Sequence, residues 1–193
     1  MKLNKLLLLS LLAIPLISSK SYARDIVCIG DSVTYANTYV SPGEGYCELI
    51  GGINAGVSGN TSTQGLARFK ADVLTHNPKQ IIIMFGLNDA AYHVPIAEYK
   101  SNISRMVRMS GNRKIILMTA NPYAIDYARN AELAPYVEAI RAIAGKKHIR
   151  LVDNYQTFSE LSVREYLPGY YADVLHPNAK GQKIIADKIK GDT

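Results

Sequence analysis

The sequence has no tryptophan, only three phenylalanines and only two cysteines. Two cysteines without clustered histidines do not make a zinc site. Cys28 and Cys47 allow either a disulfide or two free thiols, and the place of Cys28 in a strand-like apolar run is typical of a buried thiol. After the first 23 residues, no apolar run is long enough to cross a bilayer. The lack of tryptophan and of an apolar lid helix favours a shallow, open cleft.

Residues 1–23 are typical of a secretory signal peptide, with a basic start, the apolar core "LLLLSLLAIPLIS" and small residues before a cut. We expect cleavage after Ala23, which leaves one domain over residues 24–193 and places the protein in the periplasm or outside the cell. An uncut membrane anchor is the alternative. No cysteine follows the apolar core, so the sequence does not predict a lipid-anchored lipoprotein.

The charge balance is mildly basic and gives no sign of a nucleic-acid partner. The formal net charge of +6 falls to +3 once the three lysines of the predicted signal peptide are removed. The remaining basic residues are scattered along the chain, whereas nucleic-acid binding needs a basic patch or stripe. We therefore expect no nucleic acid among the partners and no stable membrane anchor.

Short apolar runs alternate with amphipathic segments through the rest of the chain. The runs read as five strands: "DIVCIG", "INAG", "KQIIIMFG", "KIILMTA" and "IRLVD". The segments between and after them read as helices: "GEGYCELIGG", "STQGLARFKADVLTHN", "IAEYKSNISRMVRMSGN", "AELAPYVEAIRAIAGKKH" with Pro135 near its first turn, and "NAKGQKIIADKIKG". This alternation predicts a parallel sheet with helices on both faces.

Polar segments follow the predicted strands. They are "GDS", "NAGVSGNTS", "GLND" and, before the last helix, "DVLHPN". In an open parallel sheet the ligand crevice lies beyond the carboxyl ends of the strands. The four segments are therefore predicted to meet at one edge of the sheet.

The residue types in these segments fit acyl transfer, which needs a nucleophile, a base, a group that orients the base and donors for an oxyanion. Ser32 is the candidate nucleophile. Asp173 and His176, three residues apart, can pair on one turn, so that the carboxylate holds one ring nitrogen while the other faces the serine. The Asn88 amide and the backbone N–H groups of Gly59 and Ser32 are the candidate oxyanion donors.

These blocks resemble the SGNH or GDSL-type hydrolase family, whose signature residues are Ser, Gly, Asn and His in separate blocks. "GDSVT", "NAGVSGNTS", "GLND" and "DVLHP" match its order over nearly the whole predicted domain, and "GNTSTQGLARF" is similar to the bacterial thioesterase I/lysophospholipase L1 group. Val33 stands where the family name has leucine.

The resemblance implies a three-layer sandwich, with a five-stranded parallel sheet in flavodoxin-like order. It also implies a serine esterase for acyl esters or thioesters that uses no cofactor and no metal.

Each residue has a structural alternative. Ser32 and Asn88 are also suited to helix caps, Gly59 to an ordinary turn, and Asp173 and His176 to a surface pair. Two other functions use the same motifs: a carbohydrate O-acetylesterase or O-acetyltransferase acting on an acetylated polysaccharide, and a carbohydrate- or lipid-binding domain with an inactive site.

Overall fold

The computed structural model describes residues 25–164 and 167–191. The predicted signal peptide over residues 1–23 lies outside the described residues. The five strands are β1 Ile26–Gly30, β2 Ile53–Gly56, β3 Gln80–Met84, β4 Lys114–Met118 and β5 Arg150–Val152. The helices are α1 Ser32–Tyr35, α2 Tyr46–Leu49, α3 Ser62–Asp72, α4 Leu87–Ala91, α5 Ile96–Met109, α6 Tyr127–Lys147, α7 Asn154–Arg164 and α8 Ala179–Lys190.

The strands form one parallel sheet in the order β2-β1-β3-β4-β5. Ile81, Ile82 and Ile83 of β3 are all fully buried, as expected for a continuous apolar run in a strand that is covered on both faces. The register pairs Gly30 with Met84, so β1 and β3 end side by side. The predicted parallel sheet and its flavodoxin-like order are confirmed.

Helices cover both faces of the sheet. The helix α5 packs against both α3 and α6, and α2 packs against α8. The strand order reverses at β1, which lies between β2 and β3 although β2 follows it in the chain. Such a reversal opens a crevice at the carboxyl ends of the strands, where the predicted polar segments begin.

Cys28 and Cys47 form a disulfide, with their Cα atoms 6.0 Å apart. It ties β1 to α2, and both residues are fully buried. Of the two alternatives that the sequence left open for these cysteines, the structure has the disulfide, because α2 brings the second cysteine against the inner strand.

Four of the described helices differ from the prediction: α1, α4 and α7 were not predicted, and α6 begins earlier than predicted. The helix α6 begins at the cap Asp126, whose carboxylate accepts the Arg129 N–H at 3.0 Å. Pro135 therefore lies in the helix interior, where it removes one backbone hydrogen bond, and not near the first turn. The helix α7 is not among the predicted helices; it follows β5 directly, and Asp153 accepts the Gln156 N–H at 3.0 Å at its start.

Candidate active site

Ser32 is the first residue of α1, immediately beyond the carboxyl end of β1. The Asp31 side chain caps this short helix by accepting the Val33 N–H at 3.0 Å. A Cβ at Gly30 would lie 2.5 Å from the Met84 carbonyl oxygen of the neighbouring strand, so only glycine fits. The close approach of β1 and β3 thus fixes the position of Ser32 at the carboxyl end of β1.

The structure brings Ser32, His176 and Asp173 together, although Ser32 and His176 are 144 residues apart in the chain. The Oγ of Ser32 lies 2.9 Å from Nε2 of His176. On the other side of the ring, Nδ1 of His176 lies 2.8 Å from Oδ2 of Asp173. The other carboxylate oxygen, Oδ1, accepts the N–H groups of Leu175 and His176, each at 2.7 Å.

The hydrogen bonds around Asp173 set its charge. Burial alone would raise the pKa of this carboxyl, but the hydrogen bonds from His176 and Leu175 outweigh burial and hold the pKa below its usual range. Asp173 is therefore ionised at neutral pH and can only accept. It follows that Nδ1 of neutral His176 carries the ring proton and that Nε2 accepts the hydroxyl hydrogen of Ser32.

The segment that carries His176 is held by the loop after β4. Asn121, fully buried, donates from Nδ2 to the Leu175 carbonyl at 2.9 Å. The Ala124 N–H donates to the Val174 carbonyl at 2.8 Å. Two loop segments that are distant in sequence are therefore bonded to each other, and these contacts hold His176 in place beside Ser32.

Tyr39 stacks on His176. The two rings are nearly parallel, with an interplanar angle of 8° and centroids 3.6 Å apart. Tyr39 lies in the segment between α1 and α2, and its N–H donates to the Ala36 carbonyl at 2.7 Å. The stacked ring covers one face of the imidazole and restricts its rotation.

Gly59 and Asn88 lie on loops at the same edge. The Asn60 N–H donates to the Val57 carbonyl at 3.2 Å, which closes a turn with Gly59 at its third position and a φ of 78°. A positive φ at that position is easily adopted by glycine. The Asn88 amide donates to the Asn60 carbonyl at 3.0 Å. The Asn88 amide is thus bonded to the residue that directly follows Gly59.

Asp89, the neighbour of Asn88, has a structural role outside its own helix. It does not cap its own helix. Its carboxylate accepts the N–H of Ser62 at 3.0 Å and the Ser62 hydroxyl at 2.6 Å, so it caps α3 from a distance. Burial raises the pKa of Asp89, and the hydrogen bonds from Ser62 oppose that rise.

Sequence reasoning missed three residues that support the site. Tyr39 stacks on His176, Asn121 bonds the Leu175 carbonyl, and Arg68 bonds the side chain of Asn60. Each acts through contacts between segments far apart in the chain, so no local pattern in the sequence indicated these roles. Within residues 25–164 and 167–191, no cluster of three or more His, Cys, Asp or Glu residues could hold a metal ion. No helix in the same ranges has the length and apolar character needed to cross a membrane.

Comparisons with known proteins identify the family of the chain. A profile of the GDSL-like Lipase/Acylhydrolase family matches residues 28–184. The acetylxylan esterase of Geobacillus stearothermophilus is 27% identical over 198 residues, which cover 83% of this chain and 90% of that protein. Esterase TesA of Pseudomonas aeruginosa is 29% identical over 130 residues, which cover 60% of this chain and 64% of that protein.

A solved structure supports the same fold. The crystal structure of a catalytic mutant of Axe2, an acetylxylan esterase from Geobacillus stearothermophilus, has a TM-score of 0.74 at 24% identity and covers 86% of this chain and 92% of that chain. The family match spans well over half of the sequence, and relatives that carry the name esterase align with most of the chain. The chain belongs to the GDSL-like lipase/acylhydrolase family and is a carboxylic ester hydrolase.

Proposed function

We propose that the protein is a serine esterase in which Ser32 is the nucleophile, His176 the general base and Asp173 the group that orients the base. The unbroken hydrogen-bond chain from the Ser32 hydroxyl through the imidazole to the carboxylate, at 2.9 and 2.8 Å, carries this proposal. Such a chain activates a hydroxyl that is a weak nucleophile at its ordinary pKa.

The reaction proceeds in two halves. His176 takes the Ser32 proton as Oγ forms a bond to the ester or thioester carbonyl carbon, and the carbonyl electron pair moves to oxygen. When the carbonyl re-forms, the bond to the alcohol or thiol breaks and His176 gives the leaving group its proton. Water then attacks the acyl-enzyme and gives a proton to His176, which returns it to Ser32 as the acid leaves.

The N–H groups of Ser32 and Gly59 and the Asn88 amide are proposed to hold the oxyanion. Ser32 opens α1, and the first N–H groups of a helix have no acceptor within it. The Gly59 N–H donates to no other atom of residues 25–164 and 167–191. Asn88 uses one amide hydrogen on the Asn60 carbonyl, which leaves the second free to donate.

Acyl esters or thioesters are the proposed substrates. Two large apolar side chains that line a cleft together with Asp173 are exposed, Ile125 at 61% and Val174 at 49%. Exposed apolar side chains beside a catalytic group favour contact with an apolar part of the substrate. A second candidate, O-deacetylation of a carbohydrate, is favoured by the acetylxylan esterase, which aligns over 90% of its own length.

We further propose that the enzyme works in the periplasm or outside the cell after removal of residues 1–23. The apolar start of the sequence supports export. The buried Cys28–Cys47 disulfide supports it independently, because such bonds persist in oxidising compartments.

Turnover of p-nitrophenyl acetate by Ser32→Ala tests the chemistry. We expect nearly complete loss of activity, with Asn88→Ala losing about 10²–10³ in kcat, as for removal of one oxyanion donor. Ser110→Ala is the matched control, since Ser110 is also a buried serine but its hydroxyl bonds only the Met106 carbonyl of the preceding helix turn. A folded Ser32→Ala variant with wild-type turnover would overturn the proposal.

The choice between the two substrate classes needs a different assay. Rates across p-nitrophenyl esters from acetate to palmitate, a long-chain acyl-CoA and an acetylated xylo-oligosaccharide measure the preference directly. Rates that rise with chain length support the acyl ester and thioester substrates. A steep preference for acetate and acetylated sugar would instead assign the enzyme to carbohydrate deacetylation.

A further inference from the structure

Arg68, on α3, crosses the carboxyl ends of two strands. Its Nη2 donates to the Gly30 carbonyl at 2.9 Å, and its Nη1 donates to the Ala55 carbonyl at 2.6 Å. Its Nε donates to the side-chain oxygen of Asn60 at 2.8 Å. Asp72, one turn further along α3, lies 3.1 Å from Nη1 and balances the charge.

The guanidinium makes these contacts from a largely enclosed position, with the side chain 17% exposed. Gly30 and Ala55 lie at the ends of the neighbouring strands β1 and β2. The planar guanidinium of Arg68 has N–H donors in fixed directions, so it bonds both carbonyls and the Asn60 side chain at the same time. A lysine carries the same charge but has a single ammonium group, so it cannot reproduce this bridge.

The third partner connects Arg68 to the proposed oxyanion donors. Asn60 closes the turn that holds Gly59, through its N–H bond to the Val57 carbonyl at 3.2 Å. The Asn60 carbonyl also accepts the Asn88 amide at 3.0 Å. One residue, held by Arg68 through its side chain, thus adjoins two of the three donors.

We propose that Arg68 is a positioning residue for the oxyanion hole: it locks Asn60 against the strand ends and so fixes the Gly59 N–H and the Asn88 amide relative to Ser32. This inference rests on the proposed function. Donors that are displaced lose contact with a charge that exists only in the transition state. The loss should therefore fall on kcat, while KM stays close to its wild-type value.

Arg68→Lys and Arg68→Ala are the direct tests, with kcat and KM measured on a p-nitrophenyl ester. We expect about a 10–100-fold fall in kcat, less than the about 10²–10³ for outright removal of a donor. Affinity for an alkyl trifluoromethyl ketone, which binds as an oxyanion, should fall by the same factor as kcat/KM. Millimolar guanidinium should restore part of the activity of Arg68→Ala by filling the vacated position.

Arg113→Lys is the matched control. Arg113 also bonds two backbone carbonyls and an asparagine side chain. It donates to the carbonyls of Pro78 and Ser110 and to the side-chain oxygen of Asn77, at 3.1 to 3.2 Å. It lies at the amino end of β4, on the opposite edge of the sheet. We expect this variant to lose stability as Arg68→Lys does and to keep its kcat.

Asn60→Ala keeps the test decisive if the arginine variants do not fold. It removes the side-chain acceptor of Arg68 but leaves the bonds to both strands and the Asn60 carbonyl, and it should lower kcat in the same direction. Folded variants with kcat within twofold of wild type, or with the loss confined to KM, would overturn the inference. If Ser32→Ala were active, the proposed function would fail first, whatever Arg68 does.

Discussion

Replacing Asp173 with asparagine tests whether the carboxylate sets the tautomer of His176. The Oδ1 atom accepts the N–H groups of Leu175 and His176, each at 2.7 Å, while Oδ2 faces Nδ1 at 2.8 Å. Asparagine keeps one oxygen for the two backbone N–H groups and turns its amide nitrogen toward Nδ1. An amide nitrogen only donates, so the ring proton must move to Nε2, where the imidazole can no longer accept the Ser32 proton.

The size of the effect follows from exposure. In a buried triad the same change lowers kcat by about 10⁴. Here the Asp173 side chain is 45% exposed and the His176 side chain 12% exposed, so water competes for Nδ1 and softens the loss. We expect kcat to fall by about 10²–10⁴, or about 3–5 kcal/mol in the barrier, with a melting temperature close to that of the wild type.

Steady-state kinetics and thermal unfolding of Asp173→Asn and Asp173→Ala, measured together, check this reasoning. In the alanine variant water accepts from Nδ1 and the productive tautomer survives, but the turn loses its acceptor. The alanine variant should therefore be faster and less stable than the asparagine variant. An asparagine variant within tenfold of wild-type kcat, or slower turnover by the alanine variant, would refute the tautomer argument.

Three further predictions concern stability. Burial raises the pKa of Asp31 to about 7, so between about pH 4 and pH 7 the native state keeps a proton that the unfolded state has released, and stability falls as pH rises through this range. The difference in unfolding free energy between Asp31→Asn and wild type, measured with urea, should therefore be about 2–3 kcal/mol more favourable to the variant at pH 8 than at pH 5. An equal difference at both pH values would contradict the raised pKa. Replacing Cys28 and Cys47 with alanine opens a loop with a sequence separation of 19 and should cost about 3 kcal/mol of unfolding free energy, whereas an unchanged unfolding midpoint would mean that the disulfide contributes nothing. Gly56→Ala places a Cβ 2.3 Å from a backbone nitrogen of α1 and should cost about 1–3 kcal/mol, while Gly145→Ala, where a Cβ meets nothing within 4 Å, is the control that should not destabilise.

The strands were the most predictable part of the fold. The run "IIIM" of β3 is buried on both faces, and such a run has few alternatives in a chain that alternates strands with helices. The helix α7 was harder, because Phe158 is the only deeply buried apolar side chain among its residues 154–162 and its start depends on a cap provided by Asp153. The start of α6 depends on a local cap at Asp126, and the pattern of apolar residues does not indicate where that cap lies.

The candidate site divides in a similar way. Ser32, Gly59 and Asn88 lie in short blocks that follow β1, β2 and β3, so the topology predicts that they meet. Asp173 and His176 lie between α7 and α8, and the order of the sequence blocks indicated their place. Their roles stay predictions until they are measured. The supporting contacts were not predictable, because each joins distant segments: two aromatic rings stacked face to face, or an arginine that bridges two strand ends. Such contacts depend on packing that no local pattern records.

Peptide mass spectrometry after treatment with a fluorophosphonate tests the central claim most directly. An activated serine hydroxyl displaces fluoride and keeps the phosphonyl group, which marks the nucleophile in the intact enzyme. We predict a single adduct, on Ser32, that forms in the wild type and is lost when His176 is replaced by alanine. Modification of another residue, or full esterase activity in protein that carries no adduct after treatment, would contradict the account.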